Sequence, residues 1–138
     1  MTECLFCRIV HREMPASVVY EDDAVVAFLD INPISPGHTL VLPKKHSTNI
    51  SDIGADDLVA VVKAIPHIAK GILKAVHATA YNIGSNTGAE SGQAIFHTHF
   101  HIIPRKADDG LKFWEHGSYR DDAEREKIAR SIAESIKA

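Results

Sequence analysis

This 138-residue sequence has two cysteines, one tryptophan and no long apolar run. Two thiols are too few for a secreted disulfide framework. No stretch approaches the ~20 apolar residues that span a bilayer, so no membrane association is expected. Fifteen basic side chains against 18 acidic ones leave a net charge of −3. That balance lacks the basic excess on which nucleic-acid binders rely, and no nucleic-acid partner is expected. Met1-Thr2-Glu3-Cys4 lacks the basic start and apolar run of a secretory leader, which points to a cytoplasmic protein. Repeats, low-complexity tracts and a second-domain linker are missing too. Residues 1–138 read as one domain, long enough to bury a core without staples.

What is present alternates between β-rich and helical runs. Leu5 to Glu13 reads as a short helix ending before Pro15. Val18–Glu21 and Ala24–Asp30 flank a short polar gap and predict a hairpin. Pro33, Pro36 and Gly37 mark a loop, and His38–Pro43 is a third strand. Asp56–Val76 carries apolar residues at helical spacing, with Pro66 expected to kink it or mark an irregular turn. Thr79–Ile83 and Ala94–Ile103 are the fourth and fifth strands, and Asp121–Lys137 is an amphipathic helix with Ile128, Ile132 and Ile136 on one face. Hairpin-linked strands with helices to one side indicate an α+β class.

The chemistry concentrates in Phe96-His97-Thr98-His99-Phe100-His101-Ile102-Ile103-Pro104-Arg105. Residues i, i+2 and i+4 of a strand share a face, so His97, His99 and His101 are expected in a row with neighbours roughly 6–7 Å apart. Imidazole serves as nucleophile, acid or base at neutral pH. The preceding loop, Asn86 to Gln93, holds Gly88 and Gly92, which allow backbone N–H groups close to an anion. Asn86 and Gln93 add neutral hydrogen-bonding groups. His38 opens its strand as a fourth imidazole. Asp30, at the end of the strand before, can grip ribose hydroxyls or simply close a turn.

His97-Thr98-His99-Phe100-His101-Ile102-Ile103 resembles the signature of the histidine triad (HIT) superfamily. Tyr20–Asp23, Phe28–Pro33, Gly37–His46 and Gly92-Gln93 resemble it in order and spacing, so the likeness runs from about Cys4 to Arg105 and leaves 106–138 as a C-terminal segment and helix. Within the superfamily the chain is most similar to the bacterial, Hint-like branch. The resemblance implies a five-stranded antiparallel sheet with packed helices, extended across a homodimer. It implies attack on the α-phosphate of purine nucleoside phosphoramidates or dinucleoside polyphosphates through a nucleotidyl-histidine intermediate. Carried residue by residue, it makes His99 the nucleophile, supported by His101 and His38. Asp30 is then the ribose ligand, Ile31 packs on the base, and Asn86, Gly92 and Gln93 line the phosphate end. A nucleotide-binding regulatory protein with incidental turnover is the alternative. Ala94 stands where the family often has a hydroxyl, and Thr98 where it usually has an apolar residue.

Cys4-x-x-Cys7 supplies two thiols, too few for a tetrahedral zinc site alone. Histidine must complete it, with His11 the local candidate and His46 and His97 the distant ones. The resemblance favours Cys4, Cys7, His46 and His97 as ligands of a structural Zn²⁺, and no organic cofactor is expected. A metalloenzyme using His97, His99 and His101 together is a third class. Three successive i, i+2 positions rarely converge on one tetrahedron.

Overall fold

The computed structural model describes residues 3–138. Five strands form one antiparallel sheet: β1 Val18–Glu21, β2 Val25–Leu29, β3 Thr39–Pro43, β4 Ala80–Gly84 and β5 Phe100–Arg105, in the spatial order β1-β2-β3-β5-β4. Among the described residues three α-helices accompany them, α1 Leu5–Val10, α2 Ala55–Val76 and α3 Asp122–Lys137, with a 3₁₀ turn over Ala89–Ser91. The α+β architecture expected from the sequence is the one observed.

Both faces of the sheet are covered at its centre, which explains why β2 and β3 are mainly apolar rather than alternating. Val25, Ala27, Val41, Phe100 and Ile102 face α2, whose Val61, Ile65, Ile68 and Ile72 pack onto them. Val26, Phe28, Leu40 and Leu42 point to the other side, where Phe6 of α1 completes a second cluster. The expectation of helices on one side only therefore gives way to α1 and α2 on opposite faces. At ~25 cal/mol per Å² of apolar surface, a fully buried Val, Leu, Ile or Phe contributes about 1.5–3 kcal/mol. The two clusters are thus what hold the central strands rigid.

Two local readings need correction. Pro66 marks no irregular turn, since α2 runs on through it for 22 residues. Pro66 sits on the exposed side, where the carbonyl that loses its intrahelical donor can bond to water instead. The second correction concerns β5, which begins at Phe100 and not at Ala94. Residues 95–97 form bends, so only His101 of the three triad histidines lies in a strand.

A buried pair of hydroxyls holds that bend. Thr98 N–H donates to the Ser47 carbonyl at 2.8 Å, and Thr98 Oγ1 lies 2.6 Å from Ser47 Oγ. Both side chains are buried, and each is the other's partner. Thr98, out of place as an apolar strand residue, is explained as half of this clasp. Thr98→Val should leave Ser47 Oγ without a partner and cost about 1–3 kcal/mol. Adding Ser47→Ala should recover much of that loss in urea unfolding. Equal stability of Thr98→Val and the parent would show that the clasp carries no energy.

Candidate functional site

The α1 side of the sheet gathers the imidazoles. The His99 and His101 rings lie 5.0 Å apart, and the His38 and His101 rings 5.1 Å. Phe6, between the two cysteines in sequence, sets its ring against His99 at 5.1 Å, nearly edge-on. Nothing in the spacing singled out Phe6. The expected row of three is interrupted, because the bend turns His97 toward the cysteines while His99 and His101 remain neighbours.

Each buried imidazole has a defined set of partners. His97 Nε2–H donates to the Pro43 carbonyl at 2.8 Å, leaving Nδ1 with a free lone pair. His99 Nδ1–H donates to the His97 carbonyl at 2.7 Å. A neutral ring carries one proton, so His99 presents an unprotonated Nε2. His38 Nε2 and His101 Nδ1 are 2.9 Å apart, and Asp30 Oδ2 lies 3.7 Å from the same His38 nitrogen.

Burial sets the charge. Desolvation lowers the pKa of His38 and His99, and the Asp30 carboxylate only partly offsets it. For His101, burial with His99 and His38 alongside brings the value down to about 4. His97 falls to about 4 as well, chiefly through burial. All four rings are therefore neutral at pH 7, the state in which imidazole offers a lone pair.

Cys4, Cys7, His46 and His97 converge, with one ligand atom from each within 4.8 Å of the others. Cys4 Sγ is 3.5 Å from His97 Nδ1, and Cys7 Sγ is 3.4 Å from His46 Nδ1 and 3.6 Å from His97 Nδ1. The two Nδ1 atoms are 3.2 Å apart. A tetrahedron with zinc–sulfur and zinc–nitrogen bonds of about 2.3 and 2.05 Å has S···N edges of about 3.5 Å and an N···N edge of about 3.3 Å. The four side chains fit that cage. Burial, reinforced by Cys4, pushes the Cys7 thiol up to about 11, so a cation entering here must displace protons. The local candidate, His11, is instead the exposed C-cap of α1.

The remaining expected positions fare differently. Asp30 Oδ1 accepts the Asn32 amide at 2.8 Å, so the turn-closing role applies to one oxygen while Oδ2 faces His38. Ile31 is 90% exposed beside it, an apolar surface without an internal partner. Gly92 has φ +100° and lies against Asn86, a backbone conformation that favours glycine. Gln93 is buried, and its amide is consumed internally: Nε2 donates to the Thr48 and Ile95 carbonyls, and Oε1 accepts from Gly88 N–H. It shapes the loop rather than offering its side chain to a ligand. Among the remaining histidines, His67 lies edge-on to Tyr20, and His77 caps α2 in the left-handed conformation. A groove of about 770 Å³ lies along α2, lined by Tyr20, Leu29 and Ile72 among others, on the opposite face from Phe6 and His99.

Residues 11–108 match the family model of the HIT domain. An uncharacterized HIT-like protein of Borreliella burgdorferi is 47% identical over 82% of this chain and 83% of its own. Adenylylsulfatase HINT3 of Arabidopsis thaliana is 42% identical over 86% of this chain, which spans 59% of that protein. SMU.412c from Streptococcus mutans superposes with a TM-score of 0.92 at 38% identity, covering 99% of this chain and 87% of that one. A zinc-bound histidine triad family protein from Mycobacterium smegmatis does so with a TM-score of 0.77 at 33% identity, covering 98% of each chain. The chain belongs to the HIT family, within a superfamily of nucleotide hydrolases and transferases.

Proposed function

We propose that this protein hydrolyses purine nucleoside phosphoramidates or dinucleoside polyphosphates at the α-phosphorus, with His99 as nucleophile. The observation that carries this reading is the His99 tautomer: Nδ1–H is tied to a backbone carbonyl, and Nε2 is left with a lone pair. Attack by Nε2 forms a phosphorus–nitrogen bond as the leaving group departs with its electron pair. Water then displaces the imidazole and releases the nucleoside monophosphate. Two displacements replace one difficult attack by water. His101 hydrogen-bonds the non-bridging oxygens or the leaving group, with His38 behind it. Asp30 holds the ribose, exposed Ile31 packs on the base, and Asn86, Gly92 and the loop organised by Gln93 close the phosphate end. The alternative of a binding protein with incidental turnover makes no use of a free Nε2.

His99→Ala is expected to abolish turnover while leaving nucleotide affinity within about tenfold, a change of ~1.4 kcal/mol. Wild-type-like turnover in that variant would remove His99 as nucleophile. The pH profile supplies a second check. A lowered pKa keeps Nε2 unprotonated below the usual imidazole range, so the acid limb of kcat/KM should fall below about pH 6.5. An acid limb at or above that value would contradict a desolvated nucleophile.

The Cys4, Cys7, His46 and His97 cage is assigned to one structural Zn²⁺, supported by its edge lengths and by the zinc-bound relative. When bound, the ion ties the N-terminal segment to the bend before β5. Chelation should lower the melting temperature, and assays below the new midpoint should retain much of the activity. His46→Ala should lose the metal. Full occupancy in that variant would remove His46 from the ligand set.

A homodimer joined through the β4 edge is part of the same reading. All five residues of β4 are exposed, with Tyr81 and Ile83 among them. Bare strand edges of this kind are templates for pairing. Phe113 and Trp114 are also exposed on the segment that follows β5, a surface suited to reaching a second copy.

A further inference from the structure

The loop from Asp30 to His38 carries a feature that no side chain reveals. Ile34 N–H points at His38 Nδ1, 3.0 Å away, and donates to it. A neutral His38 that accepts at Nδ1 must keep its proton on Nε2. That nitrogen lies 2.9 Å from His101 Nδ1, so His38 donates and His101 accepts. His101, accepting at Nδ1, in turn keeps its own proton on Nε2. We propose that the Ile34 backbone amide is a positioning group: it fixes the tautomer of His38, and through it makes His101 an Nε2–H donor beside His99.

The loop is built to hold this amide still. Asp30 N–H donates to the His38 carbonyl, and His38 N–H to the Ser35 carbonyl. Ser35 Oγ donates to the Pro104 carbonyl at 2.8 Å, tying the loop to β5. Gly37 has φ +96°, and a Cβ there would come within 3.0 Å of Val76 and 3.3 Å of Pro104. The turn therefore packs against α2 and β5 as only glycine allows.

The consequence is a pair of opposite tautomers on alternate residues. The His97 carbonyl makes His99 an Nδ1–H ring with a bare Nε2, while the Ile34 amide makes His101 an Nε2–H ring. One is equipped to attack phosphorus and the other to donate to its oxygens. The same amide bears on the cluster of Asp30, His38 and His101, whose ligand atoms lie within 4.8 Å of one another. A cation there would need His38 Nε2 stripped of its proton while Nδ1 still accepts from the amide, leaving an imidazolate. The geometry selects a hydrogen-bonded relay over a second metal site.

This inference rests on the proposed role of His101 only for its catalytic consequence, and its test separates the two. Long-range ¹H–¹⁵N correlation of the imidazole nitrogens in the ligand-free protein near pH 7.5, assigned with His38→Gln and His101→Gln, reads each tautomer directly. Both rings should be protonated at Nε2 and bare at Nδ1. A proton on Nδ1 of either ring would overturn the proposal. Replacing the Ile34 amide by an ester, through α-hydroxy acid incorporation, removes the N–H without a new side chain. His38 should then populate both tautomers, and kcat on an adenosine phosphoramidate should fall about tenfold with KM within about twofold. Unchanged tautomers in the ester protein would overturn the assignment. Ser35→Ala loosens the loop but keeps the amide, so it should retain the wild-type tautomers. A shift as large as the ester's would transfer the role to the loop as a whole and refute it for the amide. The expected tautomers in a protein that hydrolyses no nucleotide would support the amide's role while overturning the function proposed for the site.

Discussion

Four imidazoles occupy space too dry to charge them, and the site follows from that constraint. A buried neutral ring must place one proton and one lone pair, and each needs a partner or a task. His97 spends its proton on Pro43 and faces the thiols with its lone pair. His99 spends its proton on the His97 carbonyl, which leaves one lone pair without an internal partner. His38 and His101 pass a single hydrogen-bond direction outward from the Ile34 amide. Main-chain groups thus decide which nitrogen is basic, and the main chain is held by the sheet.

His97 joins the two halves of the molecule's chemistry. Its ring belongs to the cage with Cys4, Cys7 and His46, while its carbonyl orients the His99 ring two residues on. The clasp between Ser47 and Thr98 ties the residue after His46 to the residue after His97. The cage and the His99 and His101 rings therefore adjoin one rigid bend. Hydrogen bonds in such a dry, packed setting are stronger than in water, and a broken one costs correspondingly more.

Much of this was legible in the sequence. Strand-rich runs and turn residues located the β1–β2 hairpin, β3 and β4 to within a residue or so, and burial on both faces leaves the plainest apolar signature in β2 and β3. The residue types of the site were legible as well: Asp30 and His38 do meet, and His99 and His101 are neighbours. Periodicity misread the approach to β5, since a bend made by the Ser47–Thr98 contact is tertiary and leaves no local pattern. Of its two readings of Pro66 the irregular turn is absent, because a missing donor on an exposed helix face does not stop the helix. Gln93 was legible as polar but not as internal, because its three hydrogen bonds go to backbone groups in two loops. The Ile34 amide could not be seen at all: every residue except proline has one.

In the proposed reaction His99 is a buried, neutral nucleophile whose free nitrogen takes the nucleotidyl group. Rapid mixing of the zinc-loaded protein with an adenosine phosphoramidate, followed by a quench and peptide mass analysis on the millisecond scale, measures this directly. An adenylyl adduct is expected on the peptide containing His99, located at that ring, forming and decaying at rates consistent with turnover. Turnover with no adduct, or an adduct at His101 or His38 in its place, would contradict it.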